Sequence, residues 1–373
     1  MADSAYKVLG TNDRVTTRTL LHEAIPLTGT IVSGTYSDNN IKNFSHGMFQ
    51  SVYDYPFLSS SANHVFDITV GVSADSDIYS TITSQQDKKR NIYNQMAQVL
   101  VGYDTTGSIL RFDTDGNFSN TTTDKMDDVV FMVFSRLLVK DEIKKESFEL
   151  KLNMDSTFNS PYAANGQIVV QDVSASNEYR VNSPSGEYGI LYATSSVSTS
   201  NNFDPSSYSF TSTFNSNTYA KVGLIYYQAG VVVLTASLFK DINSGGIINE
   251  TSLQFSSSGD EINTTLQAGN IEVLADGLRN RLENVQFNNT TELNSTIYFC
   301  RAHHNEFNYS SNPTYLSGSK IRVKNESTDD PVSYITTVGL YNDRRELLAV
   351  AKVSEPLKKT PDTEFTLRVR LDY

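Results

Sequence analysis

The chain has 373 residues, 38% of them hydrophobic and only 19% charged, with 21 Tyr, 19 Phe and a single Cys. Ample aromatic side chains at low charge exclude a disordered chain, and one cysteine excludes an intrachain disulfide framework. A net charge of −12 opposes phosphate backbones, so no direct nucleic-acid partner is expected. No window approaches the roughly 18 apolar residues of a membrane span, and MADSAYKVLG lacks the cationic and apolar regions of a signal peptide.

Residues 1–150 read as mixed α and β. Residues 65–72 (VFDITVGV) form a strand. Asp87 is placed to cap a helix reaching Val101, with Ile92, Met96, Val99 and Leu100 as its apolar stripe and Gly102 ending it. Lys88-Lys89-Arg90 at its start reads as a solvated face. Residues 129–139 are almost continuously apolar and predict a buried strand, whereas Phe148, Leu150 and Leu152 alternate and predict a half-exposed one.

Residues 151–265 turn to Ser, Asn, Thr and Gly and predict a β-rich middle domain, compatible with an insertion between flanking segments that pack together. Strands are expected at 167–170, 188–192, 222–227 and 231–238, the last two meeting at a tight turn, Gln228-Ala229-Gly230. Residues 195–217 are nearly free of aliphatic side chains and predict an exposed loop or a decorated hairpin.

Residues 266–373 open with a helix from Asn270 to about Glu283, with Ile271, Leu274, Leu278 and Leu282 at spacings of three and four and Arg279 and Arg281 facing out. Strands at 296–301 and 320–324 follow. The last forty or so residues predict a three-stranded meander: 333–341, a turn at Asn342-Asp343, 346–353, a loop punctuated by Pro356 and Pro361, and 364–371. The last strand alternates strictly, which ties down the chain end. The expected class is therefore α+β, mainly β, with antiparallel sheets, one helix in each of the N- and C-terminal segments, and a β-rich middle.

Few residues suggest chemistry. Asp113-Thr114-Asp115-Gly116-Asn117 spaces oxygen ligands as a calcium loop does, but its glycine is at position four and Asp124 stands where the bidentate Glu belongs. A hairpin turn is the favoured reading. His303 and His304 are adjacent and would point to opposite faces of a strand. His46 and His64 flank an aromatic stretch suited to a core or subunit contact. Cys300, in IYFC, predicts a buried inert thiol. No nucleophile elbow, phosphate loop, HExxH or dinucleotide fingerprint is present. No catalytic, cofactor-binding or metal-binding residue is assigned, and the chain is not expected to be an enzyme.

Three parts of the chain resemble structural proteins of tailed bacteriophages, chiefly large contractile-tailed ones. They are HGMFQSVYDYPFLSSSANHVFD near the N-terminus, GEYGILY with KVGLIYYQAGVVVLTASLF in the middle, and IYFCRAHHNEFNYSSNPTY leading into ITTVGLYNDRRELLAVAKVSEPLKK. The resemblance implies a non-enzymatic virion component of the tail or baseplate, with a neck or head-associated place second. It implies other virion proteins and copies of the same chain as partners, no cofactor, and location in the virion after assembly in the host cytoplasm. The rival expectations are a fibre or adhesin module binding host glycans at the cell surface, and a hydrolase of the cell envelope.

Overall fold

Strands hold 47% of the described residues and helices 18%, an α+β, mainly β fold with antiparallel sheets. The computed structural model describes residues 6–26, 40–79, 84–119, 123–153, 167–195, 203–240, 262–310, 316–317, 320–321, 326 and 328–373. The chain divides into two compact units. One is His22–Thr291; the other joins Met1–Leu21 to Glu292–Tyr373.

Strand β1 (Arg14–Pro26) crosses the first division. The larger unit then contains β2 (Ile41–Asn43), β3 (Gln50–Tyr53), β4 (His64–Val72), α1 (Ser84–Leu100), β5 (Asp128–Phe134), α2 (Arg136–Val139), β6 (Glu142–Ile143) and β7 (Glu149–Asn153). It continues through β8 (Gln167–Gln171), α3 (Ala175–Glu178), β9 (Arg180–Ser183), β10 (Gly186–Ser195), β11 (Thr211–Phe214), β12 (Asn217–Tyr226) and β13 (Val231–Thr235). Helices α4 (Ile262–Ala268) and α5 (Ile271–Arg281) lead into β14 (Leu282–Ala302), which crosses the second division.

The sheet of this unit runs β14, β7, β8, β10, β12, β13, β5, β4, β3, β2 through antiparallel pairings. Strands from 151–265 do not stand apart, because β7 on one side and β5 on the other flank β8, β10, β12 and β13. The KVGLIYYQAGVVVLT hairpin lies at the centre. All five residues of β13 are buried, as expected of a strand covered on both faces. Gly230 closes its turn with φ +66°, and a Cβ there would meet Val139 Cγ2 at 2.6 Å.

Helix α1 begins before Asp87; of its expected stripe Ile92 and Leu100 are buried and Met96 is half-buried. Val99 is 62% exposed, whereas Gln86, Lys89, Tyr93, Ala97 and Leu100 are buried at spacings of three and four. The expected solvated face is therefore corrected at Lys89. Its ammonium donates to the carbonyls of Leu266 (2.5 Å) and Gly269 (2.8 Å), and Gln86 Nε2 donates to those of Leu266 and Gln267. Carbonyls at the end of α4 lack intrahelical partners, and α1 supplies them. Gly71 of β4 permits this approach, since a Cβ there would lie 3.0 Å from Tyr93 Cα.

Two further expectations change. The apolar run 129–139 breaks after Phe134, where Phe134 N donates to Gly230 O (2.9 Å) and the chain coils into α2 with Leu137 exposed. Residues 296–301 are only the end of a 21-residue strand, β14, which starts directly after α5. Asn270, the expected first residue of α5, caps it by accepting from Val273 N at 2.9 Å, and Arg279 and Arg281, expected to face out, are buried.

The smaller unit adds β15 (Leu316–Ser317) paired with β16 (Lys320–Ile321), then β17 (Ser333–Tyr341), β18 (Leu347–Lys359) and β19 (Phe365–Asp372). Of the strand expected at 320–324, residues 322–324 lie outside the described residues. The terminal meander does not form. β17 and β18 make a two-stranded ribbon of their own, and β19 pairs instead with β14, from Ser295↔Asp372 to Ala302↔Phe365. The chain end is nevertheless tied, because Tyr373 exchanges both backbone bonds with Asn294 (2.8 and 2.9 Å). Pro356, expected in a loop, lies within β18, where the register slips between Ile335↔Leu357 and Thr337↔Lys352.

Candidate functional site

Asp113, Asp115 and Asp124 come together, with one carboxylate oxygen from each within 4.8 Å of the others. Three side-chain turns in series build the loop. Asp113 accepts from Asp115 N (3.0 Å), Asp115 from Asn117 N (3.0 Å), and Asn117 from Ser119 N (2.6 Å). Thr114 N donates to Asp124 O (2.8 Å) and Tyr188 OH to Gly116 O (2.9 Å), which ties the loop to β10.

A cation already belongs to this cluster. Lys125 Nζ lies 3.0 Å from Asp113 Oδ2 and 3.9 Å from Asp124 Oδ1, and it donates to Ser119 O at 2.5 Å. Both side chains of the shorter pair are almost fully buried, at 5% and 0% exposure. Burial first, and the hydrogen bond with Asp115 second, push Asp113 up to about 6 despite Lys125. Asp115 moves the other way. Burial acts to raise it, but hydrogen bonds from Asp113 and Asn117 N, with the charges of Lys221 and Arg180, bring it below the usual carboxylate range. With Asp113 fully buried, its carboxyl cannot meet a substrate arriving from solvent. The arrangement pins a hairpin loop with a buried ion pair.

Among the described residues, the other candidates join no such cluster of metal ligands. His64 Nε2 lies 2.8 Å from Asp67 Oδ1, and the same oxygen accepts from Ser51 Oγ at 2.5 Å. Nucleophilic activation needs the imidazole between hydroxyl and acid, whereas here the acid lies between the other two. His46 stacks on Phe44, with ring centroids 5.2 Å apart. His303 and His304 lie in the turn after β14, where His304 Nδ1 is 3.2 Å from Glu364 Oε1 and His303 N donates to Glu306 Oε2. Cys300 is half-buried opposite Leu367. Burial first, and Asp13 second, raise its thiol, which opposes thiolate formation.

Asp172 was not legible as a special residue. It is buried and accepts from Glu146 N (2.7 Å), Phe148 N (3.1 Å) and Tyr227 OH (3.1 Å), and burial pushes it up to about 7. An acidic residue directly after an apolar strand, Gln167–Gln171, is the one sequence signal that marks it.

Among the described residues of the smaller unit, the β17–β18 ribbon gathers several exposed apolar side chains. Val350 and Lys352 of β18 lie opposite Gly339 and Thr337 of β17, and beyond a register shift that takes in Leu348, Leu347 pairs with Tyr341. Leu348 is 67% exposed and Val350 52%. The other face, with Val338, Leu340, Ala349 and Ala351, is half-buried. The Tyr6 ring meets Tyr341 edge-on at 5.1 Å, and Arg345 lies over Tyr6 at 5.7 Å. At the base, Ser333 donates to Phe307 O, and the buried Lys359 donates to His304 O (3.0 Å), Asn308 Oδ1 (2.7 Å) and Thr360 O (2.8 Å).

No family model, curated protein or solved structure matches this chain.

Proposed function

We propose that this chain is a non-enzymatic structural protein of a tailed bacteriophage virion, built into the tail or baseplate through contacts with other virion proteins and with its own copies. The observation that carries the assembly half of this reading is the β17–β18 ribbon. A two-stranded ribbon is marginal by itself in water, and large apolar side chains clustered in the open mark interaction surfaces. Tyr341, Leu347, Leu348 and Val350 are each exposed by 45% or more, on a ribbon with no third strand among the described residues. The bacteriophage half rests on the resemblance of the quoted stretches. These lie along β3 and β4, β10, β12 and β13, the end of β14, and the ribbon itself.

A buried core with structural polar staples agrees with a scaffold. Asp113, Lys125, Asp172 and Lys89 all spend their hydrogen bonds inside the protein. Mass spectrometry of purified particles, with a density map of the intact particle, tests the proposal. The chain should appear in stoichiometric amount and fit density in the tail. Its absence from washed particles would overturn the reading.

A further inference from the structure

We infer that the β17–β18 ribbon docks onto the His22–Thr291 unit of a second copy of this chain, an inference that rests on the assembly reading above. Charge selects the occupant. The larger unit carries sixteen Lys and Arg against twenty-nine Asp and Glu, a net −13 within a chain of −12. The smaller unit is therefore net +1, and the ribbon is its basic part. Residues 333–359 hold Arg344, Arg345, Lys352, Lys358 and Lys359 against Asp343, Glu346 and Glu355, a net +2. A basic ribbon and a strongly acidic body on one chain attract between copies, while body repels body.

The geometry selects the kind of contact. Pro356 lacks a backbone donor, and the register slip around it breaks the β18 edge. Lys352 and Lys358 flank that edge and discourage strand-to-strand addition. Contact therefore comes through the face, where Leu348, Val350 and Tyr341 supply apolar area and Lys352 and Arg344 supply charge. Ribbon on body joins two different patches, so it either closes as a reciprocal two-fold dimer or propagates from copy to copy into a ring or an open chain.

Sedimentation velocity on the full chain tests this. The wild type should form dimers or larger species as concentration rises, and these should dissociate as salt goes from about 0.05 to about 0.5 M. Val350→Glu with Leu348→Glu should be monomeric with unchanged circular dichroism and melting. Arg344→Glu with Lys352→Glu should assemble about tenfold more weakly or worse. A labelled Val350→Glu, Leu348→Glu chain keeps an intact acidic body, so it should still co-sediment with wild-type oligomers as an end cap.

A wild type that stays monomeric, oligomers indifferent to both variants, or a labelled variant that wild-type oligomers ignore would each overturn the inference. The last outcome would mean ribbon on ribbon. The virion reading fails separately. A monomeric chain found in particles removes only the docking, and an assembling chain absent from particles removes only the virion.

Discussion

Ending the chain at Thr363 should unfold the smaller unit, and the amides that lose protection should be those of β14. The deleted strand pairs with β14 over eight register positions, Ser295↔Asp372 to Ala302↔Phe365. An antiparallel ladder supplies about one hydrogen bond per pair, each worth about 1 kcal/mol net. Buried Val369 adds about 1–2 kcal/mol of apolar burial. The loss is thus on the order of 10 kcal/mol, comparable with the whole stability of an ordinary domain. Removing Tyr373 alone gives a graded control. It costs the two backbone bonds to Asn294 and the contact of its hydroxyl with Thr296 Oγ1 at 3.1 Å, about 1–2 kcal/mol for an exposed residue. Hydrogen exchange read by mass spectrometry separates the outcomes. Peptides covering residues 296–302 should exchange freely in the Thr363 truncation and slightly faster in the Tyr373 deletion. A truncated chain that keeps its protection there, or loses it in β18 instead, would refute the pairing.

Lys125→Met should cost about 3 kcal/mol in urea unfolding, because it leaves Asp113 ionised without its buried partner. Adding Asp113→Asn should recover most of that, and a double variant no more stable than the single would contradict the ion-pair account. Burial holds Asp172 up to about 7 and Asp113 and Asp128 up to about 6, so between about pH 4 and pH 7 the native chain binds more protons than the unfolded one. Stability should therefore fall as pH rises through that window, by up to about 1.4 kcal/mol per pH unit for each group, and Asp172→Asn should flatten the slope; a flat wild-type profile would count against it. The lowered carboxylates Glu23, Glu306 and Asp372 act at more acid pH, where their stabilisation is lost as pH falls. Lys359→Met should leave three acceptors at the ribbon base without their ammonium, at a cost of about 2–4 kcal/mol. Exchange should rise across β17 and β18 and stay unchanged in β12 and β13.

Period and burial were legible wherever one kind of side chain dominated an element. β4, β8, β12, β13 and α5 lie close to the positions their apolar patterns predict. The misses involve residues whose partners are distant in sequence. Lys89 looked solvated because charge on a helix usually is, yet its carbonyl acceptors lie 177 and 180 residues away. The strand was expected only from residue 296, yet the polar stretch NNTTELN belongs to β14, where Asn289 pairs with Ile143 and Thr290 with Glu142. Asp113 with Asp115 was noticed for spacing alone. Lys125, which decides its chemistry, stands twelve residues on, and nothing local links the two. Composition and alternation report how much surface an element buries, and they are silent about which polar groups meet inside.

Pro356 shows that the meander could have been rejected from the sequence. In a three-stranded meander the second strand is central, and both its edges donate and accept along a ladder. Proline has no amide proton, so within sheets it is confined to edges, first positions and bulges. Reading Pro356 as loop saved the meander by shortening the second strand to residue 353, which left a long connection to the third. The alternative was to let the strand run on and accept that it has only one neighbour. Leu357 pairs with Ile335 and Lys359 with Ser333, so the strand does continue past the proline, at the expense of a register slip. A strand that tolerates proline in this way has an outer edge with no ladder to lose. That edge leaves β19 free to pair with β14, and it leaves the ribbon to make its contacts through side chains.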